Sequence, residues 1–341
     1  MKLIWYYFVK LYIQIGFAFY FKSIKIVGKE NIPKNKGVLF VSNHQNALID
    51  PLLIAVTNSR VTHFLTQAVV FKNPVVKQLL FSVNMIPIYR IRDGRNSVSK
   101  NDEIFEYCYQ LLNKKQAVLI FAEGSHNIQR RIRPLSKGFT RIVFGALDQN
   151  PDQEIDIIPI GFNYSNAKKY ASNLSIHYGK PISVNDFWRN SDQNEAVHEL
   201  KNEVSNSLKK LTTHIEDSSK HDEIVKCFRE DDFLFPEKVN KKLEDLSNFK
   251  PLEAEKENQF NLLTPIVKFN SFFPLQIWKY AYSTIKEEEY ISTFRFSIGI
   301  TAFPIFYLLQ AGLISIFFNS TAALIYLFFS FLSIYLLTKS K

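Results

Sequence analysis

Cysteine is nearly absent from this chain: Cys108 and Cys227 are the only two in 341 residues, and they lie too far apart for any redox or zinc spacing. A disulfide framework is therefore excluded, and a reducing compartment is the expectation. The histidines are equally dispersed. His63, His126, His177, His198, His214 and His221 show no ligand spacing, so no metal is expected, and strand histidines such as His63 and His177 read as structural. No zinc pattern, recognition-helix signature or basic-aromatic RNA motif accompanies the excess of 42 basic over 32 acidic side chains, a net charge of +10. Nucleic acid is thus not expected as a partner, and the charge suits an anionic membrane surface and phosphate-bearing substrates. The apolar stretch 3–21 is broken by Lys10 and Gln14 and lacks a small-residue cleavage site after it. It reads as a membrane-interfacial helix within residues 1–24, with a single span as the competing reading, and not as a signal peptide.

Charge is missing altogether from residues 296–318, a run of 23, long enough to cross a hydrocarbon core of about 30 Å. Asn319 and Ser320 turn the chain into a second apolar run, 321–337. Together the two predict a C-terminal transmembrane hairpin within a membrane anchor spanning 261–341. Arg295 precedes the hairpin, Lys339 and Lys341 follow it, and the turn holds no Lys or Arg, so both ends are expected on the cytoplasmic face. Phe272, Phe273, Pro274, Trp278 and Tyr280 upstream form an expected interfacial aromatic belt.

Between these segments, apolar strands at 37–42, 61–66, 85–89, 117–122, 156–162 and 174–178 alternate with helical stretches. The pattern predicts an α/β fold, a mixed sheet covered by helices, over residues 25–215. Val197, Leu200, Val204, Leu208 and Leu211 at helical spacing make a closing helix whose stripe is core. Residues 216–260 are charged and poor in apolar runs, a linker or small helical insert with short helices near 222–229 and 236–246.

Four breaks in the strand pattern stand out, and the three polar ones carry the chemistry. After the strand 37–41 come Ser42, Asn43 and His44, then five residues, then Asp50 and Pro51. Asp-Pro is the expected N-cap and N1 pair of a helix, and a tight turn would let Asp50 orient the His44 ring so that its other nitrogen removes a proton from a hydroxyl. Taken singly the pair also reads as a helix cap beside a loop histidine. The second break, after 85–89, ends in Arg90 and Arg92, guanidinium groups suited to phosphate or simply a solvated strand end. In the third, strand 117–122 runs into Glu123, Gly124, Ser125 and His126. There Gly124 allows a sharp bend, Ser125 and backbone amides suit an anion, and Glu123 suits an arginine or a substrate hydroxyl. Arg130, Arg131, Arg133 and Lys137 follow as an expected cationic wall. The fourth is Pro159 within 155–164, which implies an edge strand or a bulge and is assigned no chemistry. Asn43 and backbone amides are the candidates for stabilising an oxyanion.

In order and spacing these blocks resemble the glycerolipid acyltransferase superfamily, whose members acylate glycerol 3-phosphate and 1-acylglycerol 3-phosphate, over roughly residues 25–215. The resemblance implies His44 and Asp50 as the catalytic pair, Arg90 as a ligand of the acceptor's phosphate, and the Glu123–Gly124 block as the rest of the acceptor site. It also implies direct transfer without an acyl-enzyme. Two departures stand out. The family usually has four residues between His and Asp, and Glu-Gly-Thr-Arg where this chain has Glu123-Gly124-Ser125-His126. The five-residue gap looks like the branch containing the fungal glycerol 3-phosphate and dihydroxyacetone phosphate acyltransferases. With His126 in place of arginine, phosphate binding is expected from Arg90, Arg92, the 130–133 cluster, or a protonated His126. The expected function is acyl transfer from a thioester to 1-acylglycerol 3-phosphate in phospholipid biosynthesis. No cofactor is expected beyond acyl-CoA or acyl-ACP as co-substrate, and the partners are the phosphate-bearing glycerolipid acceptor, the acyl thioester donor and membrane lipids. The alternatives are acylation of glycerol 3-phosphate or dihydroxyacetone phosphate, a phospholipid transacylase, and a non-catalytic lipid-binding protein.

Overall fold

The computed structural model describes residues 2–90, 99, 101–189, 192–244, 251–252 and 261–340; Arg92 lies outside them. Helix α1 (Lys2–Tyr20) leads into β1 (Ser23–Val27), followed by β2 (Gly37–Ser42), α2 (Ile49–Thr57), β3 (Thr62–Gln67), α3 (Pro74–Ser82) and β4 (Met85–Ile88). Then come α4 (Asn101–Asn113), β5 (Ala117–Ile120), α5 (Gly138–Gln149), β6 (Ile155–Tyr164), β7 (Asn173–Tyr178), β8 (Ile182–Ser183), α6 (Val184–Trp188) and α7 (Gln193–Leu211). The C-terminal part is helical: α8 (His221–Val225), α9 (Pro236–Leu243), α10 (Leu263–Asn270), α11 (Phe272–Thr284), α12 (Ile291–Phe317) and α13 (Ser320–Ser340).

The strands form one mixed sheet in the order β1-β7-β6-β2-β5-β3-β4, with β8 beside β6. Strands β2, β3, β4, β5 and β6 run parallel, while β7 and β8 are antiparallel to β6. Parallel strands must be covered on both faces, so they read as continuous apolar runs, and β2 and β5 are buried throughout. Alternation along β2 assigns the two faces. Leu39 and Val41 pack with α4, α5 and α7, whereas Val38 and Phe40 pack with α2, α1 and Phe296 of α12. Each fully buried side chain of this kind contributes about 1.5–3 kcal/mol.

The structure adds an edge strand to the expected plan and fixes how the flanking helices pack. Strand β1 was not anticipated, because it is a largely exposed edge strand with no buried run to mark it. The N-terminal helix packs on the sheet, with Ile13, Phe17 and Tyr20 buried in the core of the α2 face. By length and composition α1, α12 and α13 are each apolar enough to cross a membrane. Residues 221–239 form a packed helical insert in which Ile224, Phe228, Phe233 and Val239 gather with Ile215.

Pro159 resolves in favour of the bulge. Strand β6 is internal, but its partner changes from β7 at Ile160↔Tyr178 to β8 at Ile157↔Ile182. That change of partner carries a one-residue shift in register beside Pro159, where a missing N–H is tolerated. Pro87 sits in β4, an edge strand.

Candidate active site

Because β2, β4, β5 and β6 are parallel, the loops leaving their C-terminal ends gather along one edge of the sheet, where α/β proteins build ligand sites. β2 and β5 are neighbours, paired through Val41↔Ile120. The His44 loop and the Glu123 loop therefore emerge side by side. The His44 ring stacks on Phe121, with centroids 3.8 Å apart and planes 12° from parallel, and the Asn127 amide donates to the His44 carbonyl at 2.8 Å.

Asp50 is not the helix cap that Asp-Pro predicts. The turn after His44 is tight enough for the Asp50 amide to donate to Asn46 O at 3.0 Å, so α2 starts at Ile49 with Leu48 in the cap position. Pro51 still fits, since N–H groups of a first turn have no helical partner. The Asp50 carboxylate folds back over the loop, fully buried. Its Oδ2 accepts from His44 Nδ1 at 2.8 Å, from Gln45 N at 2.9 Å and from Asn46 N at 2.8 Å. Its Oδ1 accepts from the Tyr164 hydroxyl at 2.5 Å. A carboxylate can only accept, so Nδ1 carries the proton and Nε2 of neutral His44 presents its lone pair.

Gly124 bends the second loop at φ +75°, with nothing within 4 Å of the position a Cβ would take. Glycine is required there by the left-handed backbone and not by crowding. Arg133 organises this turn. Its Nε and Nη2 donate to Glu123 Oε2 at 2.7 and 2.6 Å, Nη1 donates to Ser125 Oγ at 2.8 Å, and Nη2 also reaches the Ser125 carbonyl. The second oxygen of Glu123, Oε1, is buried without a hydrogen-bond partner among the described residues. Burial pushes the Glu123 carboxyl up from its ordinary value, against the lowering effect of Arg133. Of the two roles expected for Glu123, holding an arginine is thus filled by Arg133, and Oε1 remains available to a substrate hydroxyl.

The geometry qualifies three of the expected binding roles. Asn43 is tied to β6: its Oδ1 accepts from Phe162 N at 2.8 Å and its Nδ2 donates to Phe162 O at 3.2 Å, so it extends the sheet and keeps one further N–H on Nδ2. His126 lies 5.7 Å from His44, ring to ring, with its pKa held down to about 4 by burial and then by the charges of His44, Arg133 and Arg90. It is neutral at neutral pH and brings no cation. Of the expected cationic wall, Arg133 stays at the site and Arg130 leaves it. Arg130 is turned into the fold, donating to Tyr164 O and Ser165 O at 2.9 Å each and lying 3.6 Å from the Phe233 ring centroid.

Arg90 stands at the end of β4 on the same sheet edge, near enough to His126 for its charge to act there. The preceding residue is fixed by Asn101, whose side chain pairs with Tyr89 N at 2.9 Å and Tyr89 O at 2.7 Å. A cavity of about 2480 Å³ lies to one side of this constellation, bordered by Tyr12, Phe19, Lys168, Arg295 and Phe303; His44 and Asp50 do not line it.

Tyr164, Phe121 and the organising role of Arg133 were not legible beforehand. The available signal for Tyr164 was its place at the polar end of an apolar strand parallel to β2, which puts its hydroxyl at the same edge as His44.

The fold and site define a class: an α/β protein with a histidine–carboxylate pair beside a second, arginine-bound carboxylate at the C-terminal edge of a parallel sheet. A family model described as Acyltransferase matches residues 23–163, the segment that supplies His44, Asp50, Arg90, Glu123 and Arg133. Similar proteins include glycerol-3-phosphate O-acyltransferase 2 of Saccharomyces cerevisiae, 28% identical over 121 residues, 34% of this chain and 16% of that one. A chloroplastic 1-acyl-sn-glycerol-3-phosphate acyltransferase of Brassica napus is 28% identical over 130 residues, 38% of this chain and 36% of that one. The chain thus spans well under half the length of either relative. Among solved structures, the 1-acyl-sn-glycerophosphate acyltransferase PlsC of Thermotoga maritima aligns with a TM-score of 0.41 and 17% identity, over 55% of this chain and 72% of that one. Residues 23–163 are thus similar to the Acyltransferase family, and the relatives matched there are named glycerol-3-phosphate and 1-acyl-sn-glycerol-3-phosphate acyltransferases.

Proposed function

We propose that this protein is a membrane-bound O-acyltransferase that moves a fatty acyl group from an acyl thioester, carried by coenzyme A or acyl carrier protein, to the hydroxyl of 1-acylglycerol 3-phosphate. The observation that carries the reading is the 2.8 Å contact between His44 Nδ1 and buried Asp50, beside the unfilled Oε1 of Glu123. His44 Nε2 takes the proton of the acceptor hydroxyl as its oxygen attacks the thioester carbonyl. The C–S bond then breaks, and the departing thiolate takes the proton back from the imidazolium. General-base assistance of this kind contributes about 10²–10⁴ in rate. Glu123 Oε1 accepts from the acceptor, and Arg90 faces its phosphate. The catalytic loops work at the cytoplasmic surface of the bilayer, where a water-soluble donor meets a lipid acceptor.

A second reading, glycerol 3-phosphate or dihydroxyacetone phosphate as acceptor, is favoured by the five-residue His-to-Asp gap and by the similarity to the yeast relatives. Purified protein in detergent, given acyl-CoA or acyl-ACP with a panel of labelled acceptors, separates the two by product. Thiol release with 1-acylglycerol 3-phosphate, lost in His44→Ala, is the expected result. No thioester consumption with any acceptor would leave a non-catalytic lipid-binding protein. Lipid-dependent acylation without thiol release would indicate a transacylase.

A further inference from the structure

The family match ends at residue 163, yet the turn that opens α12 reaches into the catalytic loop. The Leu48 amide, two residues before Asp50, donates to Thr293 Oγ1 at 3.1 Å. Beside it, Ser292 Oγ donates at 2.6 Å to Ala167 O, which also accepts from Asn46 Nδ2 at 3.0 Å. One carbonyl thus ties the catalytic loop and the helix together. Arg295 Nη1 donates to Lys168 O at 2.6 Å and its guanidinium lies 4.6 Å from the Trp278 ring centroid. Phe296 stacks on Phe17 of α1 at 4.5 Å. Just upstream, Tyr290 packs edge-on against His126 at 4.8 Å. A helix long and apolar enough to cross a membrane is therefore clamped at its first turn, by side-chain hydrogen bonds, to the loop that sets the His44–Asp50 geometry.

We infer that Thr293 and Ser292 are positioning residues for the His44–Asp50 loop, so that the start of α12 is part of the catalytic apparatus as well as an anchor. The inference rests on the acyl-transfer reading for its kinetic consequence and on geometry alone for its structural one. Loop residues 45–48 carry the two amides that grip Asp50, and Thr293 is the acceptor that holds the far end of that loop. Misplacement of a catalytic group by about 1 Å costs on the order of 10²-fold in rate, so loosening this end is expected to act on turnover.

The test compares the full-length wild type with Thr293→Val, which keeps the shape but removes the acceptor, and Thr293→Ser, which keeps it. Expected for Thr293→Val is a fall in kcat of about tenfold with KM for donor and acceptor little changed, wild-type behaviour in Thr293→Ser, and faster amide hydrogen exchange across residues 44–50. Unchanged exchange in that segment overturns the inference whatever the activity. So does an unchanged kcat, or a loss of activity that merely tracks a lower melting temperature. The exchange measurement needs no turnover, whereas absence of any wild-type acyl transfer defeats the functional reading and leaves the clamp to be judged by exchange.

Discussion

The Tyr164 hydroxyl and Asp50 Oδ1 lie 2.5 Å apart, both residues fully buried. Burial, and then the adjacent Asp50 carboxylate, push the Tyr164 phenol well above its ordinary pKa, so it stays protonated and donates. With Oδ1 held by Tyr164 and Oδ2 by His44 and two amides, the carboxylate cannot rotate. Tyr164→Phe is expected to leave Oδ1 unsatisfied, costing about 1–3 kcal/mol of stability, and to lower kcat more than it raises KM. Denaturant melts and steady-state kinetics on the same preparation check both.

Asp50→Asn keeps the volume but offers a single acceptor oxygen where four donors converge. An amide facing Nδ1 also favours the wrong tautomer, with the proton on Nε2. Turnover is expected to fall by about 10²–10⁴ with acceptor KM changed far less. A variant with near wild-type kcat would show that the pair does not act as base and orienter.

Glu123 and Arg133 form a pair of unequal exposure, the carboxylate 3% and the guanidinium 26% exposed. Arg133→Met strands a buried carboxylate and also frees Ser125. It is expected to destabilise the protein by about 3 kcal/mol, the scale for removing one partner of a buried pair. Adding Glu123→Gln to Arg133→Met is expected to recover part of that loss. A double-mutant cycle in denaturant melts measures the coupling, and additive effects would mean that the pair carries no mutual stabilisation.

His126 links stability to pH. Its folded pKa, about 4, lies below its ordinary value of 6.5, so the unfolded chain takes up the proton first as pH falls. Its contribution is fully present above about pH 6.5 and is lost progressively between there and pH 4. The whole span corresponds to roughly 3 kcal/mol at most. His126→Asn is expected to flatten the difference in melting temperature between pH 7 and pH 5 relative to wild type, and an equal slope in both proteins would contradict the assignment.

The parts legible in the sequence were those written in local pattern. The buried runs of β2, β5 and β6 and the long uncharged stretch of α12 needed only neighbours a few residues away. His44 and Asp50 came within reach because a short loop joins them. The partners that complete the site are remote: Tyr164 is 114 residues from Asp50, and Thr293 is 245 residues from Leu48. Only the sheet order and the docking of α12 bring them in. Direction was equally hidden. Arg130 and Arg133 belong to one basic run, but the first turns inward to Phe233 and the second to Glu123, a choice made by packing. The pairing of Asn43 with the backbone of β6 was hidden for a similar reason.

Helices α1 and α12 share one face of the sheet, and α4, α5 and α7 occupy the other. The molecule is thereby two-sided. Under the proposed function the three apolar helices would sit in a bilayer with the strands like a shelf at its surface, and the opposite side, which among the described residues has no helix both long and apolar enough to span, would be left to the thioester donor arriving from the water.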